Sequence, residues 1–409
     1  MNWKRSIERA ALWGSCSAVL VGGLAGLFVW HSVRTYERAL AEYETRVGSP
    51  RHEDYLREAV APDHNRAALF EEASAGVELT PEWQRLAEPI AWDEQSKTAA
   101  REALDRNRAS LANLASAARA PVCAWSSASL AEAERLVPML EASRLLQLDG
   151  FDGVVAEESE RVQEAFQILG SLAECLYAAP NIVGSMIGAR VERARLAIVH
   201  AALSSAGSSA GLLEVFEVEL EALSAIDRVR WAVAAEGAHA LRLLERQGSS
   251  VETLEARLRS PFFRRMGAEL ASRWIELALW SEGPLEDLIA EAPRAPQSGP
   301  SVAGVIADLA IPNIRHAIVG LRTNQAVIDL SRFAIAARLQ GLRSGTYSGA
   351  FDGRAGLKVL DEGDGSVVLI DGRLESLLRS HLSSSAGDPP RGAESPLDLT
   401  VWRLPPPKR

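Results

Sequence analysis

Ser209 stands at the centre of GSSAG, residues 207–211, which spells the pattern of a nucleophile elbow. That pattern works where a tight strand-to-helix turn lifts a serine hydroxyl beside backbone N–H donors. Both flanks of Ser209 read as helix, so the local sequence supports a serine-rich connector instead. Glu236 and His239 have the Glu-x-x-His spacing, which sets two metal ligands on one helix face. A di-iron site in a helix bundle needs that pair twice, with a further Glu from each of two other helices, and the second pair is missing. His52, His64, His200, His316 and His381 are scattered without a ligand spacing. Asp361, Asp364 and Gly365 suggest a calcium loop but lack the alternating acids and distal Glu of an EF-hand; a hairpin turn explains them better. No catalytic, cofactor-binding or metal-ligating set is expected, and the chain is not expected to be an enzyme.

Three cysteines do not make a disulfide framework. Cys123 and Cys175 can pair in an oxidising compartment, and they read equally well as small buried side chains. Cys16 follows Trp13 inside an apolar run and does not have the setting of a lipoprotein cysteine.

The elements that would position these residues begin with that apolar run. Residues 10–30 contain no charge, and a helix of this length spans about 31 Å at about 1.5 Å per residue, close to the hydrocarbon thickness of a bilayer. A transmembrane helix is expected here, with Trp13 and Trp30 at its two interfaces and Lys4, Arg5 and Arg9 as the positive flank. Because the run ends in Leu27, Phe28, Val29 and Trp30 with no small-residue cleavage site, an uncleaved anchor is expected in place of a removed signal. The excess of positive charge before the run places the N-terminus in the cytoplasm and the main domain outside the bacterial inner membrane. Gly14, Ala18, Gly22 and Gly26 recur every fourth residue on one face. Small residues at that spacing let a second helix approach closely in lipid, so a homodimer through this face is expected.

Composition bounds the rest. At 47% hydrophobic and 24% charged residues the chain is that of a folded globular protein, long enough for one large or two medium domains. A net charge of -10 disfavours nucleic acid as a partner, since phosphate binding needs a basic face. Four lysines against forty arginines, with abundant alanine, reflect a GC-rich genome.

After the anchor the pattern is helical almost throughout. Residues 31–50 continue it as a stalk, and 51–291 form an α-helical domain. Asp63 is the expected N-cap of the first helix there, and Thr80 with Pro81 opens the next. A longer helix spans 93–118. Ser129 and Glu132 form a capping box, with Pro138 kinking or dividing the helix that follows. Val162, Phe166, Leu169, Leu172 and Leu176 fall at threes and fours, as one buried stripe requires. Helices are expected over 154–178, 182–206 and 211–247, then from Ser260 and Pro261 to Gly283. APRAPQSGPS, 292–301, is a linker. Residues 302–409 hold a long helix over 312–344, then GLKVLDEGDGSVVLIDG as a hairpin and LDLTVWRLP as a third strand. A mobile tail is expected over 383–396. The expected fold is mainly α: an N-terminal transmembrane helix, an antiparallel bundle or array of helix pairs, and a small C-terminal antiparallel sheet.

The segment IPNIRHAIVGLRTNQAVIDLSRFAIAARLQGLRSGTYSGAF, with the hairpin and LDLTVWRLP, resembles the C-terminal part of uncharacterised, membrane-anchored, alanine-rich helical proteins of environmental bacteria. Residues 130–206 are similar to the middle of the same proteins, and the long helix with its small sheet resembles type IV pilins and pseudopilins. No glycine, phenylalanine and fifth-position glutamate set opens the apolar run, as pilin processing requires. The resemblance implies no reaction and carries over no site residues. The expectation is a membrane-anchored, non-catalytic envelope protein whose helical body binds an envelope protein partner or acts as a scaffold. The alternatives are an accessory or pseudopilin-like component of a secretion or pilus system and, after it, a hydrolase or metal enzyme.

Overall fold

The computed structural model describes residues 3–57, 60–78, 92–125, 133–221, 225–249, 254–291, 302–347, 357–361, 366–372, 374–376 and 401–406. Within its helices and strands, the side chains of 3–22, 25, 133–134, 221, 225–226, 247–249, 254–260, 302–313 and 361 lie outside the described set. The fold is mainly helical with one small antiparallel sheet.

Helix α1 (Trp3–Arg46) is one uninterrupted rod of 44 residues, so the apolar run and the segment after it are a single helix. Two 3-10 turns, His52–Tyr55 and Pro62–His64, lead to α2 (Arg66–Ala75). Its N-cap is Asn65, whose side-chain oxygen accepts from the Ala67 amide at 3.1 Å. Asp63 instead lies inside the second 3-10 turn, because Pro62 at its start holds those residues in tight helical geometry. The helix expected over 93–118 is two, α3 (Glu94–Arg106) and α4 (Arg108–Ala118). At the break the buried Asn107 amide donates to the Glu78 and Ala103 carbonyls, and its oxygen accepts from the Glu78 amide. An asparagine that bonds nearby backbone offers the chain an alternative to the helix ladder. Thr80, Pro81, Ser129 and Glu132 lie outside the described residues.

Helix α5 (Ala133–Val155) runs through Pro138 without dividing. One missing backbone bond is outweighed by the buried Leu136, Met139, Leu145 and Leu146 on the same helix. α6 (Ser159–Tyr177) and α7 (Ile182–Ser204) follow. All five residues of the expected α6 stripe, Val162 through Leu176, are at most 1% exposed. α7 is buried on nearly every face, its charged Glu192 and Arg195 included. Next come α8 (Ala210–Glu221), α9 (Ala225–Ser249), α10 (Leu254–Ser281), α11 (Leu285–Glu291) and α12 (Val302–Ser344). α10 begins before Pro261 and α12 before Pro312, so neither proline marks a start. The linker at 292–301 and the tail over 383–396 lie outside the described residues.

The hairpin is present: β1 (Leu357–Asp361) pairs antiparallel with β2 (Val367–Asp371), which pairs antiparallel with β3 (Val401–Leu404). β2 buries Val367 and Leu369, and β3 buries Trp402 and Leu404, the period of two that a half-buried strand requires. β3 sits on α7, with the Trp402 ring 4.9 Å edge-on from His200, whose Nε2 donates to the Val401 carbonyl at 3.0 Å.

The chain divides into two compact units assembled from separate segments. Unit 2 comprises Tyr55–Ala232, Ser281–Arg294 and Pro312–Arg409. Its core joins α5, α6 and α7 with Leu213 and Phe216 of α8, Ile328 and Ile335 of α12, and the inner face of the sheet. Cys123 and Cys175 are joined by a disulfide, their Cα atoms 5.7 Å apart. The Trp125 indole donates to the Cys175 carbonyl at 2.8 Å, holding the same two segments together.

Unit 1 comprises Met1–Asp54, Val233–Trp280 and Ala295–Ile311. The segment expected to be a stalk is packed here, because its tyrosines have glycines opposite them. Tyr43 is fully buried and donates to the Ala234 carbonyl at 2.8 Å, seated where a Cβ on Gly237 would come within 2.4 Å of its hydroxyl. Tyr36 rests likewise on Gly267 and donates to Glu245 at 2.7 Å. Among the described side chains just before Ser32, Leu24, Leu27, Phe28, Val29 and Trp30 are 41–62% exposed. Among the described residues no helix is long and apolar enough to cross a membrane. The side chains of Lys4, Arg5, Arg9, Trp13, Gly14, Ala18 and Gly22 lie outside the described set, so the greater part of the expected span does too.

Candidate functional site

Unit 1 carries a cleft of about 770 Å³ between α1, the segment 49–54 and α9. On α1 its wall is Glu37, Leu40, Ala41 and Glu44, which share a face because three- and four-residue steps bring side chains over one another. Arg242, Glu245 and Arg246 of α9 form the opposite wall. Arg242 pairs with Glu53 at 2.9 Å, and Glu245 accepts from Tyr36. Burial, reinforced by the bond to Glu245, pushes the Tyr36 phenol well above its ordinary range. Ser49 donates to Asp54, which closes the turn behind the cleft.

His52 lies at the base, 3% exposed, and meets His239 of α9 edge to face with ring centroids 4.9 Å apart. Both Nδ1 atoms are buried and have no hydrogen-bond partner among the described residues. Burial pulls the His52 imidazole below the ordinary histidine value, and the neighbouring His239 and Arg242 act in the same direction. The Glu-x-x-His motif therefore contributes its histidine to a pair with His52, a residue distant in sequence. Among the described residues no group of three or more His, Cys, Asp or Glu side chains gathers as a metal site.

Two charged clusters lie in unit 2. Arg195 of α7, almost fully buried, pairs with Glu192 at 3.2 Å and with Glu219, donates to the Phe166 carbonyl at 3.1 Å, and stacks 3.9 Å over the Phe166 ring. A Cβ on Gly170 would come within 2.8 Å of this guanidinium, so a glycine is what gives it room. Burial, then the Glu192 charge, raises the nearby Tyr177 phenol, while Arg228 lies 4.2 Å over that ring. The second cluster has Arg161 between Asp149 at 2.6 Å and Asp152 at 2.7 Å, with Glu158 at 3.3 Å. Burial raises the Asp149 carboxyl in spite of Arg161. Glu192, Arg195 and Asp152 are each at most 3% exposed, so removing one partner of either network would leave a buried charge uncompensated.

Arg338 of α12 is fully buried; its Nη1 donates to the Tyr347 hydroxyl and the Pro405 carbonyl, both at 2.6 Å. It ties the end of β3 to the helix. Ser209 is a helix cap: its Oγ accepts from the Leu212 amide at 3.2 Å, and the elements on either side of it in the chain are the helices α7 and α8. His64 lies beside Asp63 at 3.8 Å, His200 supports β3, Asp361 ends β1, and Asp364, Gly365 and His381 lie outside the described residues. Sequence spacing missed His52, because a lone histidine in a short 3-10 turn shows no periodicity that links it to a helix far along the chain. Comparisons with protein-family models, curated proteins and solved structures found no match to the chain.

Proposed function

We propose that the chain is a membrane-anchored, non-catalytic envelope protein, held by the first part of α1, whose helical body works as an interaction or scaffold module outside the cytoplasm. The observation that carries this reading is the change along α1. Its packed half begins at Ser32, while Leu24, Leu27, Phe28, Val29 and Trp30 stand exposed. A contiguous apolar surface of that kind marks a membrane or protein contact, and residues 10–22 extend it in sequence without a charge. Arg34 lies 4.7 Å over the Trp30 ring, a pairing suited to the headgroup level, where indoles and basic side chains collect. The Cys123–Cys175 disulfide supports an oxidising compartment for the body. Two copies are proposed to meet through the small-residue face, and Gly26, the member of that set with a described surround, has open space where its Cβ would be.

Membrane fractionation tests the anchor. The full-length chain is expected in the carbonate-resistant membrane pellet, and Leu20→Arg with Leu24→Arg is expected to move it to the supernatant, since each charge at mid-span costs about 2.5–3.5 kcal/mol. Recovery of the unaltered chain from the aqueous fraction would sink the reading.

A further inference from the structure

We propose that His52, packed edge to face on His239, is an acid-operated latch, which fastens the segment after α1 to α9 while its ring is uncharged and releases it when that ring takes up a proton. The proposal concerns unit 1 alone and does not rest on the membrane reading. His52 is buried and hydrogen-bonded to the backbone of Ala235 on α9, so its ring is the buried contact of the 3-10 turn with that helix, beside the more exposed Glu53–Arg242 ion pair. Its Nδ1 and that of His239 are both buried without a partner among the described residues. A proton placed on either Nδ1 creates a buried cationic N–H with nothing to receive it, and burying such a group costs free energy that release into water recovers.

The surrounding charges do not offset that cost. From α9, His239 stands 4.9 Å away, and the Arg242 guanidinium also acts against a charge on His52. On the turn itself Glu53 favours the charge, but its carboxylate is engaged by Arg242 at 2.9 Å. α1 contributes the Tyr43 hydroxyl, already given to the Ala234 carbonyl, and Glu44 on the cleft wall. α10 presents the Trp274 indole beside Gly237.

The sign follows from linkage. The fastened imidazole sits below its ordinary value, so the released form binds protons better. The latch is at full strength above about pH 6.5 and weakens as the pH falls from there toward the depressed value.

Hydrogen exchange on the full chain at about pH 7.5 and about pH 5.5, corrected for the intrinsic effect of pH, reads this directly. Protection of residues 47–54 and 235–242 is expected to drop about tenfold in acid, with the α5, α6 and α7 amides unchanged. The pair His52→Gln and His239→Gln is expected to remove that response. Equal protection at both pH values, or the same response in the double variant, overturns the proposal. If the double variant fails to fold, nuclear magnetic resonance titration of the unaltered chain decides: a depressed titration of the His52 ring is expected, and titration of that ring at the ordinary histidine value ends the latch.

Discussion

Gly184, three residues into α7, shows how one hydrogen atom in place of a methyl group sets a helix. Its amide donates to the Asn181 side chain at 2.6 Å, the cap that starts α7. A Cβ there would meet the Ala179 Cβ at 2.5 Å and the Leu176 carbonyl oxygen at 2.8 Å. The carbonyl belongs to backbone and cannot swing aside, so Gly184→Ala is expected to cost about 1–3 kcal/mol by overpacking, measured as a lower denaturant midpoint. Gly211, where a Cβ meets nothing within 4 Å, is the contrast: Gly211→Ala is expected to stay within about 0.5 kcal/mol of the parent. Residue-scale legibility was uneven for the same reason. Asn65 and Asp63 are both good caps by type, and the geometry imposed by Pro62 decided between them.

At the scale of elements, the Cys123–Cys175 bond ties the chain entering α5 to the end of α6 across a separation of 52 residues. Closing a loop of that size removes conformational freedom from the unfolded chain, and losing it costs about 3–5 kcal/mol. Cys123→Ser with Cys175→Ser, or reduction with dithiothreitol, is therefore expected to lower the unfolding midpoint of unit 2. Free thiols at both positions, found by labelling the protein as isolated from its own cells, would contradict the bond. The helices were readable where apolar residues repeat with the helical period, as in α6, and the hairpin where alternation meets a turn. Pro261 does not start α10 and Pro138 does not divide α5, because a lost backbone bond is a local cost that burial along the rest of a long helix overcomes. The break at Asn107 went unseen because its amide is satisfied by Glu78, 29 residues away.

For the whole molecule, the proposed assembly through α1 gives a further expectation. Gly22→Leu with Gly26→Leu places branched side chains where a second backbone would approach, and crosslinking in the membrane is expected to yield several-fold less dimer. An unchanged dimer yield would remove the small-residue face from consideration. Composition and periodicity alone determined a helical chain with one uncharged apolar run, a small terminal sheet, and the α6 stripe that is buried throughout. These are local properties, written in the types of residues three, four or two positions apart. Tertiary structure decided the rest: that α1 turns from bare to packed at Ser32, that His52 finds His239, that Cys123 finds Cys175 and that Arg195 finds Glu219. Each of these pairs joins residues on different elements, and which faces meet depends on how every helix packs at once, information that spacing along the chain does not carry.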